Sequence, residues 1–362
     1  MPDSAPGLLS WAVFPENARR TPAVAGEGGD ATMTGSAADD HPGRKPSRAA
    51  LARGLAQVFA TEVPGRGPPR ITWRRASPRT STYLADIVHV RFADGSRERL
   101  LCKYADGVGP PLPHRGLDYE ADVYEHVLRQ CPVPTPHAWG RFTDERSGGS
   151  TLVLRFYPDA LSAAQAVEEG GVTAAAEWLA RFHAWGADRV TAAGWRFLTR
   201  YDEAYYRLWI DRTCELARPL AGDYPWLDRA AAAYRDRIPL LCDRTQTCIH
   251  GEYTTRNCLW HDGLLLPVDW ETAAIGPAEI DLAVFTYDWD PEDVEAIVAA
   301  YVARRWGGTP PAAFAETFFA ARLYVSLHWI FSRMSGREEP RVRDHLAGFH
   351  EEAVRLGIVA AD

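Results

Sequence analysis

The chain has 362 residues, 46% hydrophobic and 24% charged, with 13 Trp, 14 Tyr and 13 Phe. These values exclude a collagen-like or mostly disordered chain and suit a large two-lobed domain or two smaller ones. A net charge of -8 argues against non-specific binding to nucleic acid or to an anionic membrane.

Residues 1 to 46 are rich in Gly, Ala, Pro, Ser and Asp without sustained periodicity, and are expected to form a disordered extension without chemistry. Within them the apolar stretch Leu8 to Phe14 has no basic flank before it and ends at Pro15, and no later run reaches the length of a membrane span. The expected location is the cytoplasm. Six cysteines without a C-x-x-C pair or metal-finger spacing agree, reading as reduced thiols.

From Ser47 to Ala60, Ala50, Leu51, Leu55, Val58 and Phe59 recur at helical spacing behind a candidate N-cap, Ser47. A sheet is expected after Pro69. Val88, Val90 and Phe92 alternate with His89 and Arg91, the turn Ala93-Asp94-Gly95-Ser96 follows, and Arg99 to Tyr104 returns, carrying Lys103. A helix from about Asp118 to Arg129 sets Glu120, a carboxylate, on the same stripe as Tyr124, Val127 and Leu128. Thr151 to Tyr157 reads as a strand ending at Pro158-Asp159. Beyond it the pattern turns helical, over Thr173 to Trp185, Glu203 to Leu216 and Trp226 to Leu241.

A short strand, Thr247 to Ile249, leads into His250-Gly251-Glu252-Tyr253-Thr254-Thr255-Arg256-Asn257, and then Cys258 to Trp260 and Leu264 to Val268 flank His261-Asp262-Gly263 as a compact hairpin. The hairpin brings Asn257 close to Asp269, with Glu252 five residues upstream. A side-chain amide and carboxylates at one mouth form a hard-oxygen site suited to Mg²⁺ rather than zinc. The last eighty residues are helical by pattern, most clearly at Val294 to Val302, Ala312 to Arg333 and Arg341 to Leu356.

One compositional skew singles out residues. Of 40 basic residues 38 are Arg, the two lysines being Lys45 and Lys103, and the two asparagines are Asn17 and Asn257. Arg does not replace Lys as a compact point charge, nor does another side chain copy a short neutral amide ligand. Lys103 and Asn257 are therefore the leading candidates for function.

The run Ile249-His250-Gly251-Glu252 with Asn257, followed by Val268-Asp269-Trp270-Glu271 and by Gly276-Pro277 to Asp281-Leu282-Ala283, resembles the catalytic segment of the aminoglycoside phosphotransferase family, small-molecule relatives of the protein kinases. The resemblance is strong from about residue 70 to 290. It implies an α+β, two-lobed protein-kinase-like fold, with an antiparallel-sheet N-lobe over 47–157 including the leading helix and a mostly helical C-lobe over 158–362 carrying the catalytic loop. It implies ATP between the lobes and Mg²⁺ on Asn257 and Asp269. By the same likeness Lys103 holds the α- and β-phosphates and Glu120 pairs with it. Thr80 and Ser81 lie in the phosphate-covering loop, which lacks glycines, and Phe156 lies in the adenine-receiving hinge. Glu252 stands where the family usually has Asp and would accept the proton of the acceptor hydroxyl. His250 is expected to be structural, and Asp281 to fix the loop. The implied reaction is γ-phosphoryl transfer to a hydroxyl of a small molecule, or of Ser or Thr in a natural-product precursor peptide. The alternative is a pseudokinase that binds nucleotide or a partner without turnover.

Overall fold

A computed structural model describes residues 45–78, 83–105, 116–218 and 222–334, and the short stretches 346–347, 349–351, 353–354 and 357–360. The first helix, α1 (Arg48–Glu62), starts where Ser47 accepts a hydrogen bond from the Ala50 amide at 3.2 Å, a side-chain cap for one of the free N–H groups of the first turn. Its stripe Leu51, Leu55, Val58 and Phe59 is buried.

That stripe covers one face of a five-stranded antiparallel sheet: β1 (Arg70–Ala76), β2 (Leu84–Arg91), β3 (Arg97–Ala105), β4 (Ala138–Thr143) and β5 (Ser150–Arg155), in the order β1-β2-β3-β5-β4. The β2–β3 turn closes as the sequence pattern predicts. Gly95 takes φ +86°, where a Cβ would be strained, and the Asp94 carboxylate accepts from the Ser96 amide at 2.8 Å. Val88, Val90, Leu100, Cys102, Tyr104 and Val153 form a compact core with α1. Because strand side chains alternate, Leu101 and Lys103 occupy the other face. There α2 (Leu117–His126) packs, and its buried side includes Glu120, Val123 and Tyr124. The expected helix over 118–129 is thus shorter, its last turn tightening into a 3-10 segment at Leu128–Gln130.

Strand β4 is an addition to the sequence reading. Its buried Trp139 and Phe142 are three apart, and a bulge at Gly140, φ +133°, removes the two-residue alternation that would have revealed it.

The second part is mostly helical: α3 (Gly171–Ala187), α4 (Glu203–Ala217), α5 (Leu227–Arg235), α6 (Ile238–Cys242), α7 (Glu279–Phe285), α8 (Pro291–Trp306) and α9 (Phe314–Met334). The single helix expected over 226–241 is two. Pro239 stands at the start of α6, and a proline both lacks the N–H needed inside a helix and disfavours helical backbone before it. Of the helix expected over 341–356, only part falls in the described residues, and those positions are helical. Two small sheets complete this part. In one, β9 (Cys258–His261) lies between β6 (Leu161–Ser162) and β10 (Leu264–Pro267); in the other, β11 (Ala274–Pro277) lies between β7 (Thr199–Arg200) and β8 (Gln246–Ile249). The architecture is the expected α+β arrangement of an antiparallel-sheet first part and a helical second part. One buried cluster joins them, since Leu152 and Leu154 of β5 share it with Trp178, Trp270 and Phe285.

Lys45 and Pro46, which the sequence pattern puts in the extension, are bonded to the sheet. Lys45 Nζ donates to Asp86 at 2.6 Å, and the Pro46 carbonyl accepts from Arg74 at 2.9 Å. Residues 1–44 of the expected extension lie outside the described residues. Among the described residues no helix is long and apolar enough to cross a membrane.

Candidate active site

Lys103 lies on β3, paired in register with Leu152 of β5 and Ala85 of β2. Its ammonium is buried and donates to both oxygens of Glu120, at 2.8 and 2.9 Å, and to Asp269. Glu120 is fully buried and also accepts from the Trp270 amide at 3.4 Å. One lysine on the sheet, one glutamate on α2 and one aspartate from the helical part therefore meet at a single point. Burial on its own would lower the Lys103 pKa, but the Asp269 and Glu120 carboxylates outweigh it and raise it well above the usual lysine value. The two acids divide unequally. Burial raises the Glu120 pKa despite Lys103, with Asp269 and Glu271 adding to the rise, whereas for Asp269 the Lys103 ammonium overcomes burial and lowers it. One cation is thus shared between two carboxylates, of which Asp269 is held ionised and Glu120 is the one that burial pushes toward its neutral form.

The backbone at Asp269 is unusual. It takes φ +66° and ψ +61°, the left-handed region that costs a non-glycine residue about 1 kcal/mol or more and that concentrates at functional sites. The chain then runs through a 3-10 turn, Trp270–Thr272, held by the buried Trp270 ring, whose Nε1 donates to the Pro267 carbonyl at 2.8 Å.

Asn257 is set against Asp269 by the hairpin. After the β9–β10 pairs ending at Pro267 and Cys258, the ladder continues, the Val268 amide donating to the Asn257 carbonyl at 2.8 Å. The Asn257 Nδ2 donates to the Glu252 carbonyl at 3.0 Å, which commits the nitrogen and leaves Oδ1 as the coordinating atom. An amide oxygen and a carboxylate on adjacent strand ends are hard donors that fit Mg²⁺. Among the described residues, Asp122, Glu125 and His126 on α2 also lie within ligand reach of one another, but Asp122 already pairs with Arg141 at 2.7 Å.

Glu252 is half-buried in the loop between β8 and β9. Its amide donates to His250 Nδ1 at 3.3 Å, and its carbonyl accepts from the Thr254 amide at 2.8 Å as well as from Asn257. His250 Nε2 lies 2.9 Å from the Val268 carbonyl. A carbonyl only accepts, so Nε2 carries the proton and Nδ1 is the acceptor. Burial lowers the pKa of this ring against the pull of Asp281, and a neutral His250 is a brace between the loop and the hairpin. Gly251 has φ +82°, and a Cβ there would stand 2.4 Å from the Thr272 carbonyl.

The loop is anchored from beneath. Asp281 on α7 is fully buried and accepts from the His250 amide at 2.7 Å and the Gly251 amide at 2.8 Å, with His183 Nε2 at 3.1 Å. His183 Nδ1 in turn faces the Tyr301 hydroxyl at 3.0 Å, and Arg305 donates to that hydroxyl. A buried polar chain thus runs from α8 through α3 to the loop backbone. Sequence reasoning missed His183 and Tyr301; the available signal was a histidine on the apolar stripe of a helix, between Leu179 and Phe182 on one side and Gly186 on the other.

At the expected hinge the Phe156 amide donates to the Arg99 carbonyl at 2.8 Å. Its N–H is therefore committed within the sheet, and what Phe156 offers a base is its half-buried ring and its carbonyl. Leu152 and Leu154 of β5 belong to the larger core and Leu101 of β3 packs against it. Thr80 and Ser81 lie outside the described residues. The structure thus brings together Lys103, Glu120 and Asp269, with Asn257 one rung away and Glu252 on the same loop.

Several solved structures share the fold. A choline kinase from Cryptosporidium parvum Iowa II matches with a TM-score of 0.57 at 12% identity, over 84% of this chain and 97% of that one. The wild-type aminoglycoside 2'-phosphotransferase-IIIa in its GDP complex matches with 0.57 at 14%, over 84% and 98%. A macrolide 2'-phosphotransferase from Brachybacterium faecium matches with 0.51 at 16%, over 85% and 99%. No curated protein sequence matches the chain. The model of the phosphotransferase enzyme family, however, matches residues 72–316, a span holding the sheet, Lys103, Glu120, the 250–257 loop and Asp269. On that match the chain belongs to the phosphotransferase enzyme family, with a protein-kinase-like fold.

Proposed function

We propose that this phosphotransferase uses Mg²⁺ and ATP to phosphorylate the hydroxyl group of a small molecule. The carrying observation is the buried meeting of Lys103 and Glu120 with Asp269, one hairpin rung from Asn257. Nucleotide-bound states of similar enzymes, one a GDP complex and another ADP-bound, support nucleotide binding, and the second agrees with ATP as the donor. The acceptors named for relatives, choline, aminoglycosides and macrolides, favour a small molecule over a Ser or Thr of a precursor peptide.

Each residue has a distinct part. Glu120 holds Lys103 extended across the cleft, where its ammonium binds phosphate oxygens and offsets their charge. Asn257 Oδ1 and the Asp269 carboxylate would hold Mg²⁺, which when bound neutralises charge on the phosphate oxygens. Leu101, Leu152, Leu154 and the Phe156 ring cover the base. Glu252 orients the acceptor hydroxyl and takes its proton while the oxygen–γ-phosphorus bond forms and the bond from that phosphorus to the β-phosphate oxygen breaks. Asp281 and His250 keep the loop in place for that transfer.

Calorimetry with Mg²⁺ and ATP tests the assignment. Asp269→Ala is expected to lose metal-dependent binding while keeping a cooperative melt. Unchanged affinity and unchanged turnover in that variant would remove the metal role. Glu252→Gln preserves size but not the proton acceptor, and is expected to lower phosphoryl transfer by about 10²- to 10⁴-fold with nucleotide affinity nearly constant. Nucleotide binding by the wild type without transfer to any hydroxyl acceptor would instead support the pseudokinase alternative.

A further inference from the structure

Tyr119 precedes Glu120 on α2, and its hydroxyl lies outside the ion cluster. It donates to the Ala273 carbonyl at 2.5 Å and accepts from the Thr199 amide at 3.2 Å. Ala273 directly follows the turn that begins at Asp269, and Thr199 belongs to β7, which pairs in parallel with β11. A single phenol thus serves as donor and acceptor to two backbone groups of the helical part, using both capacities of a hydroxyl. Its ring is fixed as well, edge-on to Phe197 at 5.5 Å.

The consequence lies one residue away. The Lys103–Glu120 pair depends on where α2 sits against the sheet, and its third member, Asp269, depends on where the 269–273 segment sits against α2. The amide bond from Trp270 to Glu120 is long, at 3.4 Å, so it is a weak tether. The Tyr119 contacts are shorter and reach the C-terminal end of the 269–273 segment, at Ala273, and the adjoining strand β7, at Thr199.

We infer that Tyr119 is a positioning residue that bolts α2 to the backbone following Asp269 and so holds the Lys103–Glu120–Asp269 cluster assembled. The inference rests on the phosphotransferase reading for its functional meaning, and on the contacts alone for its structural meaning. Tyr119→Phe removes the hydroxyl and keeps the ring on Phe197, so it separates the bolt from packing.

Hydrogen exchange of the full-length protein without ligand reads the bolt directly. Losing it should speed exchange by about tenfold, the value of one to two hydrogen bonds, in α2 and in the 199–201 and 270–275 segments, with α3 unchanged. Unchanged exchange in α2, or a uniform rise across the whole chain, would overturn the inference. Titration with Mg²⁺ and ADP supplies the second arm, with affinity expected to fall by about tenfold in Tyr119→Phe; equal affinities would overturn the link from bolt to site. A wild-type protein that binds no nucleotide would sink the functional reading, while the exchange experiment would still judge Tyr119.

Discussion

At the scale of single residues, the two lysines of this arginine-rich chain both hold buried carboxylates. In the proposed role Lys103 sits between two acids and a phosphate, a place for a compact ammonium and not for a planar fork. Lys103→Arg is therefore expected to cut turnover by about 10²-fold, the usual result of misplacing a group by about 1 Å; wild-type catalytic efficiency in that variant would refute the phosphate-anchor role. Lys45 is the other lysine. It shares Asp86, which is buried on β2, with Arg74 at 2.5 Å and the Tyr104 hydroxyl at 3.2 Å. Burial pushes the Asp86 carboxyl up, but the hydrogen bonds from Lys45 and Arg74 prevail and lower its pKa. A carboxyl lowered in the folded state gives stability that is present above its unfolded value and is lost as the pH falls through the folded one. Lys45→Ala should thus cost about 1–3 kcal/mol at neutral pH and move the acid-unfolding midpoint upward. A denaturant titration repeated at several pH values checks both, and equal losses at pH 7 and below the folded pKa would contradict the linkage.

At the scale of elements, the loop between β8 and β9 is shaped by constraints that differ in how well they show in sequence. Its Asn257 was legible, through the scarcity of asparagine in this chain and its place just before a hairpin. Tyr119 and His183 were not. Their roles come from long-range contacts, to positions 154 and 98 residues away in sequence, and no local spacing encodes those. The same difference divides the elements themselves: α1 and the β2–β3 hairpin follow from period and turn chemistry, whereas β4 is hidden by its bulge and the α5–α6 break is set by one proline. Gly251→Ala tests the loop. A Cβ meeting the Thr272 carbonyl at 2.4 Å in a backbone region that favours glycine must shift the loop against the 270–272 turn. A fall in turnover of about 10²-fold should come with retained helix content by circular dichroism. Full activity would mean that Glu252 does not depend on this backbone for its position.

At the scale of the whole molecule, Lys103 and Asp269 join the sheet and the helical part through one ion pair, and that pair uses the carboxylate assigned to the metal. If Asp269 holds Mg²⁺ as proposed, Lys103 and Mg²⁺ compete for it until phosphate oxygens are present to take the ammonium. Mg²⁺ alone has to displace a buried cation and leave it facing only Glu120, an unfavourable exchange. Nucleotide alone brings negative charge to a lysine already engaged by two carboxylates. Together they satisfy each other's requirement: the phosphates occupy Lys103, and the metal occupies the released Asp269. The expected result is strong positive coupling, measurable by thermal melting of the full chain. Mg²⁺ alone should move the midpoint by less than about 1 °C, and ADP alone only slightly. Both at about 100 times their joint dissociation constant should stabilise by about 2.7 kcal/mol, a rise of several degrees for a protein of this size. The coupling must also be reciprocal, so ADP should tighten Mg²⁺ binding by the factor by which Mg²⁺ tightens ADP binding. Asp269→Asn, which cannot hold Lys103 by charge, should bind ADP without metal better than the wild type does and lose most of the gain from Mg²⁺. Simple additivity of the two ligands in the wild type, or an unaltered Mg²⁺ effect in Asp269→Asn, would show that the ion pair between the two parts is not what the metal displaces.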